Sequence, residues 1–210
     1  MPEFFRGDAL KRIIETKFNR LKPLIKLGAS IDEMKEKIDE YEKKDVFFNF
    51  KEKIINNIKN NRFSIIAEIK KKSPSGGEII NGNYDPVRIA KIYNKNNATC
   101  LSVLTEEDNF GGDIYHIKLI KEQGIKLPVL CKDFFINKWQ LYYAKSHGAD
   151  AILIILAGIG VELAEELYEE ALKLNLSVII EVHTIEEAEY ALKFKDALIG
   201  INNRNLKTLK

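Results

Sequence analysis

The sequence predicts an α/β fold: a (β/α)8 barrel of the TIM type with an N-terminal helical extension. About six of the eight βα units fit in its 210 residues. Three observations predict it. From Ser64 onward, short apolar runs rich in β-branched residues alternate with longer amphipathic segments, as parallel strands joined by crossover helices do. Six such runs begin roughly 27 residues apart, the length of a βα unit. Five of the six end in side chains suited to a polar site, and a barrel gathers its chemistry at the C-terminal ends of its strands. The other parallel architecture, an open doubly wound sheet, usually carries a glycine-rich turn after its first strand. Neither GxGxxG nor GxxxxGK is present; the loop there reads Lys72-Ser73-Pro74-Ser75-Gly76-Gly77.

Residues 1–62 form the expected helical extension and 63–210 the βα units. Helices over 9–21 and 31–43 place apolar residues three and four apart among charges. Asp8 and Ser30 are their N-caps, and Gly28 ends the connection between them. A third helix spans about 49–60, and no strand pattern precedes Ser64. Strands are expected at 64–69, 99–104, 127–131, 151–156, 177–181 and 197–201, with helices at 86–96, 113–123, 137–147, 161–173 and 185–193. Gly124 with Pro128, then Gly148, then Asn175 mark the turns that lead into the third, fourth and fifth strands.

Composition excludes several function classes. With 45% hydrophobic and 30% charged residues the chain is that of a folded globular protein, and no apolar run is long enough to span a bilayer. Met1-Pro2-Glu3-Phe4-Phe5-Arg6 lacks the apolar core of a signal peptide. A net charge of +2 gives no reason to expect nucleic acid or a membrane surface as partner. The two cysteines, Cys100 and Cys131, sit in apolar runs with no CxxC and no Cys/His cluster. No disulfide framework or metal site is therefore expected, and a reducing cytoplasm is the natural compartment.

The strand ends carry the chemistry. Glu68 and Lys70 lie two apart and share a face of the first strand. Either that strand ends at Ala67 with both charges solvated, or the pair serves a polar site, because a buried strand does not bear unpaired charges. Ser102 interrupts the second apolar run, as a core hydroxyl or a site hydroxyl, and Phe110 with Gly111-Gly112 follows in a loop able to cover a ligand. Lys132 closes the third run, as a snorkelling surface lysine or a functional ammonium. The fourth is wholly apolar, a wall for a ring. In the fifth, Glu181 follows three apolar residues, so burial is expected to raise its pKa; adjacent strand residues face opposite ways, so His183 reads as a loop residue or a supporting neighbour of the site, not a catalytic one. The sixth ends in Asn202 and Arg204, again two apart, an amide and a guanidinium suited to carboxylate or phosphate. Together with Ser73, these groups can bind an anion and carry out acid/base chemistry without a metal.

At these residues the chain resembles the indole-3-glycerol-phosphate synthases of tryptophan biosynthesis. The segments are Ile66-Ala67-Glu68-Ile69-Lys70-Lys71-Lys72-Ser73-Pro74-Ser75, Leu101-Ser102-Val103-Leu104-Thr105-Glu106, Leu127-Pro128-Val129-Leu130-Cys131-Lys132-Asp133-Phe134, Ile180-Glu181-Val182 and Gly200-Ile201-Asn202-Asn203-Arg204-Asn205-Leu206. The resemblance runs from about Phe47 to the last residue and is looser over the N-terminal helices. It implies a cofactor-free carbon-carbon lyase that closes the indole ring of 1-(2-carboxyphenylamino)-1-deoxyribulose 5-phosphate, releasing carbon dioxide and water. By matching position it implies Lys132 as general acid and Glu181 as partner acid/base, with Glu68 and Asn202 positioning Lys132 and the substrate hydroxyls. Lys70, Ser73 and Arg204 would take the anionic groups, and Ser102, Phe110 and the fourth strand would pack the aromatic ring.

The family's barrel has eight strands, and Lys210 follows closely on the sixth. The expectation is a shortened chain that lacks the phosphate-gripping loops after strands seven and eight. Its sheet would have two open edges, which invite self-association or a complementing fragment. Two other readings compete: a Schiff-base sugar-phosphate aldolase with Lys132 as nucleophile, and a non-catalytic partial barrel that needs a complementary chain.

Overall fold

The structure, a computed structural model, describes residues 8–204 apart from Ser75, Ile80 and Asn81. The capping side chain expected of Asp8, and Ser75, Asn205 and Leu206 of the resembling segments, lie outside the described residues.

Helices α1 (Asp8–Leu27), α2 (Ile31–Lys43) and α3 (Phe50–Lys59) come first. Ser30 caps α2 in a full capping box with Glu33. Asn49 caps α3 by accepting the Glu52 N–H at 2.9 Å. Helix α1 runs six residues beyond its expected end at Leu21. Pro23 removes one N–H from the ladder without stopping the helix, and the Gly28 N–H closes it on the Leu24 carbonyl at 2.7 Å.

Strand β1 (Ile66–Ile69) follows, then a small antiparallel pair, β2 (Lys72–Ser73) and β3 (Gly77–Glu78). Next come α4 (Pro86–Lys95), β4 (Cys100–Leu104), α5 (Tyr115–Glu122), β5 (Val129–Lys132), α6 (Lys138–Ser146) and β6 (Ala151–Ile155). The short α7 (Leu156–Ile159), α8 (Val161–Lys173), β7 (Ser177–Val182), α9 (Ile185–Ala191) and β8 (Leu198–Ile201) complete the order. Six strands pair in parallel in the order β1-β4-β5-β6-β7-β8, a half-barrel sheet whose neighbours are joined by helices. Gly148 (φ 97°) and Asn175 (φ 52°) supply the left-handed backbone at the turns into β6 and β7. No helix among the described residues is long and apolar enough to cross a membrane.

Strand alternation divides the core in two. On the outer face Ile69, Leu101, Val103, Val129, Ile152, Ile154 and Ile180 pack against Ile117 and Ile120 of α5, Leu141 of α6 and Leu167 of α8. On the inner face Cys100, Leu130, Ala151, Leu153 and Ile179 close over Phe50 and Ile54 of α3, which plugs the N-terminal end of the half-barrel. Both cysteines are free and buried, on opposite faces. Edge strands β1 and β8 leave apolar side chains open, Ile201 at 77% exposure and Ile199 at 41%.

The link between α2 and α3 is pinned by a buried ion pair. Asp150 accepts the Phe48 and Val129 N–H groups, each at 2.7 Å, and the Lys121 ammonium at 2.6 Å. Lys121 also donates to the Val46 carbonyl at 3.0 Å and lies over the Phe48 ring.

Candidate active site

A cavity of about 550 Å³ opens at the C-terminal ends of the sheet strands. Eight of the nine expected site residues line it: Glu68, Lys70, Ser102, Phe110, Lys132, Glu181, Asn202 and Arg204. Pairing register explains the convergence. Glu68 stands opposite Ser102, Leu104 opposite Lys132, Ile155 opposite Glu181 and Glu181 opposite Gly200. In-register neighbours on parallel strands point to the same face. Leu153 and Ile155 of β6 form the apolar wall expected there.

Glu68 joins two cations: one carboxylate oxygen pairs with Lys70, and the other lies 3.8 Å from the Lys132 ammonium. Asn202 Nδ2 donates to Glu181 Oε1 at 3.0 Å. The Asn202 backbone is held by the Val182 carbonyl, and its Oδ1 accepts the Arg204 N–H, both at 3.0 Å. Among the described residues the buried Ser102 Oγ has no hydrogen-bond partner, so its hydroxyl is available to a ligand.

Two expectations change. Ser73 is not brought to the cavity: it is buried in β2, and its Oγ accepts the Gly76 N–H at 3.0 Å, closing the turn to β3. The pKa of Glu181 is lowered, not raised. Burial pushes it up, but the His183 ring, the Asn202 amide and the Lys132 ammonium together hold it below the ordinary carboxylate value. His183 stands just past the end of β7, beside the site as expected of a supporting neighbour, with its Nε2 3.4 Å from Glu181 Oε1.

Other site elements escaped the sequence reading. Leu10 and Ile13 bring α1 over the cavity. The helix is held there by buried Lys17, whose ammonium grips both Asp133 oxygens at 2.7 and 2.8 Å and lies 3.5 Å from Glu107. Burial alone would lower the Lys17 pKa; Asp133, Glu107 and Glu106 raise it. A signal was present: Lys17 falls on the stripe Leu10, Ile14, Leu21, a charge in the buried row of an amphipathic helix. Glu106 anchors the Phe110 loop, its carboxylate accepting the Asn109 and Phe110 N–H groups at 2.8 and 3.0 Å. Among the described residues no group of His, Cys, Asp and Glu is arranged to hold a metal ion.

The assembled site pairs anion-binding cations with two carboxylates of different surroundings, against an apolar wall. Such a site suits proton transfer on an aromatic, anionic substrate.

Comparison with known proteins agrees with this geometry. The family model described as indole-3-glycerol phosphate synthase matches residues 10–210. The chain is 46% identical over 155 residues to the indole-3-glycerol phosphate synthase of Dehalococcoides mccartyi strain CBDB1, covering 73% of this chain and 60% of that protein. It is 38% identical over 203 residues to the Azospirillum brasilense protein of the same name, covering 97% and 75%. It is 44% identical over 147 residues to the chloroplastic protein of Arabidopsis thaliana, covering 70% and 36%. The Dehalococcoides match thus spans about 60% of that relative's length. Among solved structures, an enolase protein from Sargasso Sea environmental sequencing superposes with a TM-score of 0.51 at 11% identity, over 95% of this chain and 51% of that one, a likeness of fold alone. The chain belongs to the indole-3-glycerol phosphate synthase family.

Proposed function

We propose that this chain carries the ring-closing machinery of an indole-3-glycerol-phosphate synthase, a decarboxylating and dehydrating carbon-carbon lyase. The observation that carries the reading is the meeting of Lys132, Glu68, Glu181 and Asn202 at one cavity with an apolar wall. Lys132 protonates the substrate carbonyl oxygen as the ring carbon that bears the carboxylate attacks; carbon dioxide leaves that carbon and restores the aromatic ring, and Lys132, reprotonated from solvent, then protonates the departing hydroxyl, which leaves as water. A carboxylate beside the ammonium suits a proton donor. Glu181 takes the proton released in dehydration. Glu68 aims Lys132, and Asn202 fixes Glu181 and meets a substrate hydroxyl. Lys70 and Arg204 bind the carboxylate and phosphate. Leu153, Ile155 and Phe110 sandwich the aromatic ring, and the unpartnered Ser102 hydroxyl donates to the substrate beside it. Ser73 contributes only through its turn.

Residues 1–62 are treated as a helical extension and 63–210 as βα units of an eight-unit barrel. Further strands, or another chain, would pair at the β1 and β8 edges. The substrate is a small phosphorylated molecule and the compartment the cytoplasm, in keeping with two free buried cysteines.

The test is fluorescence of indole-3-glycerol phosphate formed from the ribulose 5-phosphate substrate. The wild type is expected to turn over slowly, and Lys132→Ala to lose at least about 100-fold in kcat relative to it. No product from the wild type, or full activity in Lys132→Ala, would refute the reading. No observation favours the aldolase; a borohydride-trapped adduct on Lys132 would establish it instead.

A further inference from the structure

One buried side chain, His183, stands behind the cavity-lining Glu181. Among the described residues neither buried ring nitrogen of His183 has a partner within hydrogen-bond geometry, and the side chain is 9% exposed. Nε2 lies 3.4 Å from Glu181 Oε1, and Nδ1 lies 3.8 Å from Glu187 Oε2. Glu187, His183 and Glu181 therefore stand in a row, ending on the carboxylate oxygen that also accepts the Asn202 amide.

Local sequence builds this row. Thr184 caps α9 by accepting the Glu187 N–H at 3.2 Å, and the Glu187 carboxylate turns back to accept the His183 backbone N–H at 2.7 Å. The same acid thus fixes the backbone that carries the ring and stands behind the ring's far nitrogen. Packing alone does not account for the histidine. An apolar side chain would fill the space without burying two polar atoms short of their partners.

We propose that His183 is a positioning residue for Glu181: backed by Glu187, it presents a ring N–H to Glu181 Oε1 and, with Asn202, holds that carboxylate facing the cavity. Among the described residues the charged group that acts on Glu181 is Lys132 from β5, with the titratable His183 ring beside it and Glu187 of α9 beyond the ring; Glu68 reaches this set through Lys132. The ring and the Asn202 amide leave the second Glu181 oxygen for the substrate. Only the catalytic consequence rests on the ring-closure reading; the coupling of His183 to Glu181 stands without it.

The experiment compares His183→Met with His183→Gln in the full chain. The two are matched in length, and only Gln retains an N–H donor. Carbon-13 carboxyl NMR, with Glu181 assigned through Glu181→Gln, follows the Glu181 titration. His183→Met is expected to move the Glu181 midpoint up by about one pH unit, and His183→Gln to return it most of the way. A midpoint unchanged in His183→Met, or equally raised in both variants, would overturn the proposal. His183→Phe, also donor-free, replaces His183→Met if the latter does not fold.

In turnover, His183→Met is expected to lower kcat about 10-fold with KM unchanged, and to have no further effect in a Glu181→Gln background. A loss of the same size in that background would show that His183 does not act through Glu181. A wild-type chain that shows the NMR coupling without turnover would refute the ring-closure reading and leave the positioning role in place.

Discussion

Replacing Lys121 by Met breaks the buried pair with Asp150 from one side. The Met side chain keeps most of the lysine stem's packing and removes only the charge. Asp150 retains the Phe48 and Val129 N–H groups but loses its counter-charge in a place where neither side chain reaches solvent, at 3% and 0% exposure. One-sided removal from a buried pair costs about 3–5 kcal/mol. The two surviving backbone hydrogen bonds place Lys121→Met near the lower end, about 3 kcal/mol. Asp150→Ala is worse, because it strands two backbone donors and an ammonium. At about 1–3 kcal/mol for each unsatisfied group, the loss rivals the ~5–15 kcal/mol stability of a whole domain. The double variant Lys121→Met/Asp150→Asn removes both charges and keeps an acceptor for a backbone N–H. It should be more stable than either single variant. Urea unfolding followed by circular dichroism measures all four proteins. A Lys121→Met loss under about 1 kcal/mol with unchanged m-value, or a double variant as poor as Asp150→Ala, would refute the reasoning.

Two further outcomes follow from the packing. His147 is buried, and burial pushes its pKa down to about 4, while its ring donates to the Tyr143 carbonyl at 2.7 Å. The folded state keeps this ring neutral. Its contribution to stability is therefore complete above the ordinary value of 6.5 and falls as pH drops from there to about 4, by about 3 kcal/mol in all. Urea midpoints plotted against pH should fall more steeply for the wild type than for His147→Phe, and parallel curves would refute the assignment. A Cβ on Gly112 would lie 2.5 Å from the Leu104 carbonyl oxygen. Gly112→Ala should cost about 1–3 kcal/mol and displace the Phe110 loop, seen as a lower Tm and a changed environment for Phe110 in NMR; an unaltered melt would count against that close approach.

The sheet was legible because a parallel strand buried on both faces is a short apolar run, and six of them recur at the period of a βα unit. The site was legible because Glu68, Lys132, Glu181 and Asn202 break those runs at their C-terminal ends. What escaped depends on contacts distant in sequence or on local chain direction. Ser73 shares its segment with Lys70, but the turn to β3 takes its hydroxyl away from the cavity. The pKa of Glu181 depends on Lys132, 49 positions earlier, and on Asn202, 21 positions later, as much as on its apolar neighbours. The contact of the His183 ring with Glu181 depends on where β7 ends, because past Val182 strand alternation no longer sets the side-chain direction. Helix α1 runs past its expected end at Leu21 because Pro23 deletes one rung of the helix ladder and leaves its neighbours intact.

Phe50 and Ile54 are not among the cavity-lining residues, yet they pack in one cluster with Leu130 and Ile179, which do line it. The interior of the half-barrel is one column of side chains, filled from below by α3 and left vacant above. Room for a substrate is whatever height the lower layers do not occupy, so the N-terminal helices fix the depth of the chamber as firmly as the strands fix its chemistry. A lineage adapting to a bulkier or slimmer substrate can therefore retune the pocket at Phe50 or Ile54 and leave every reacting group where it stands.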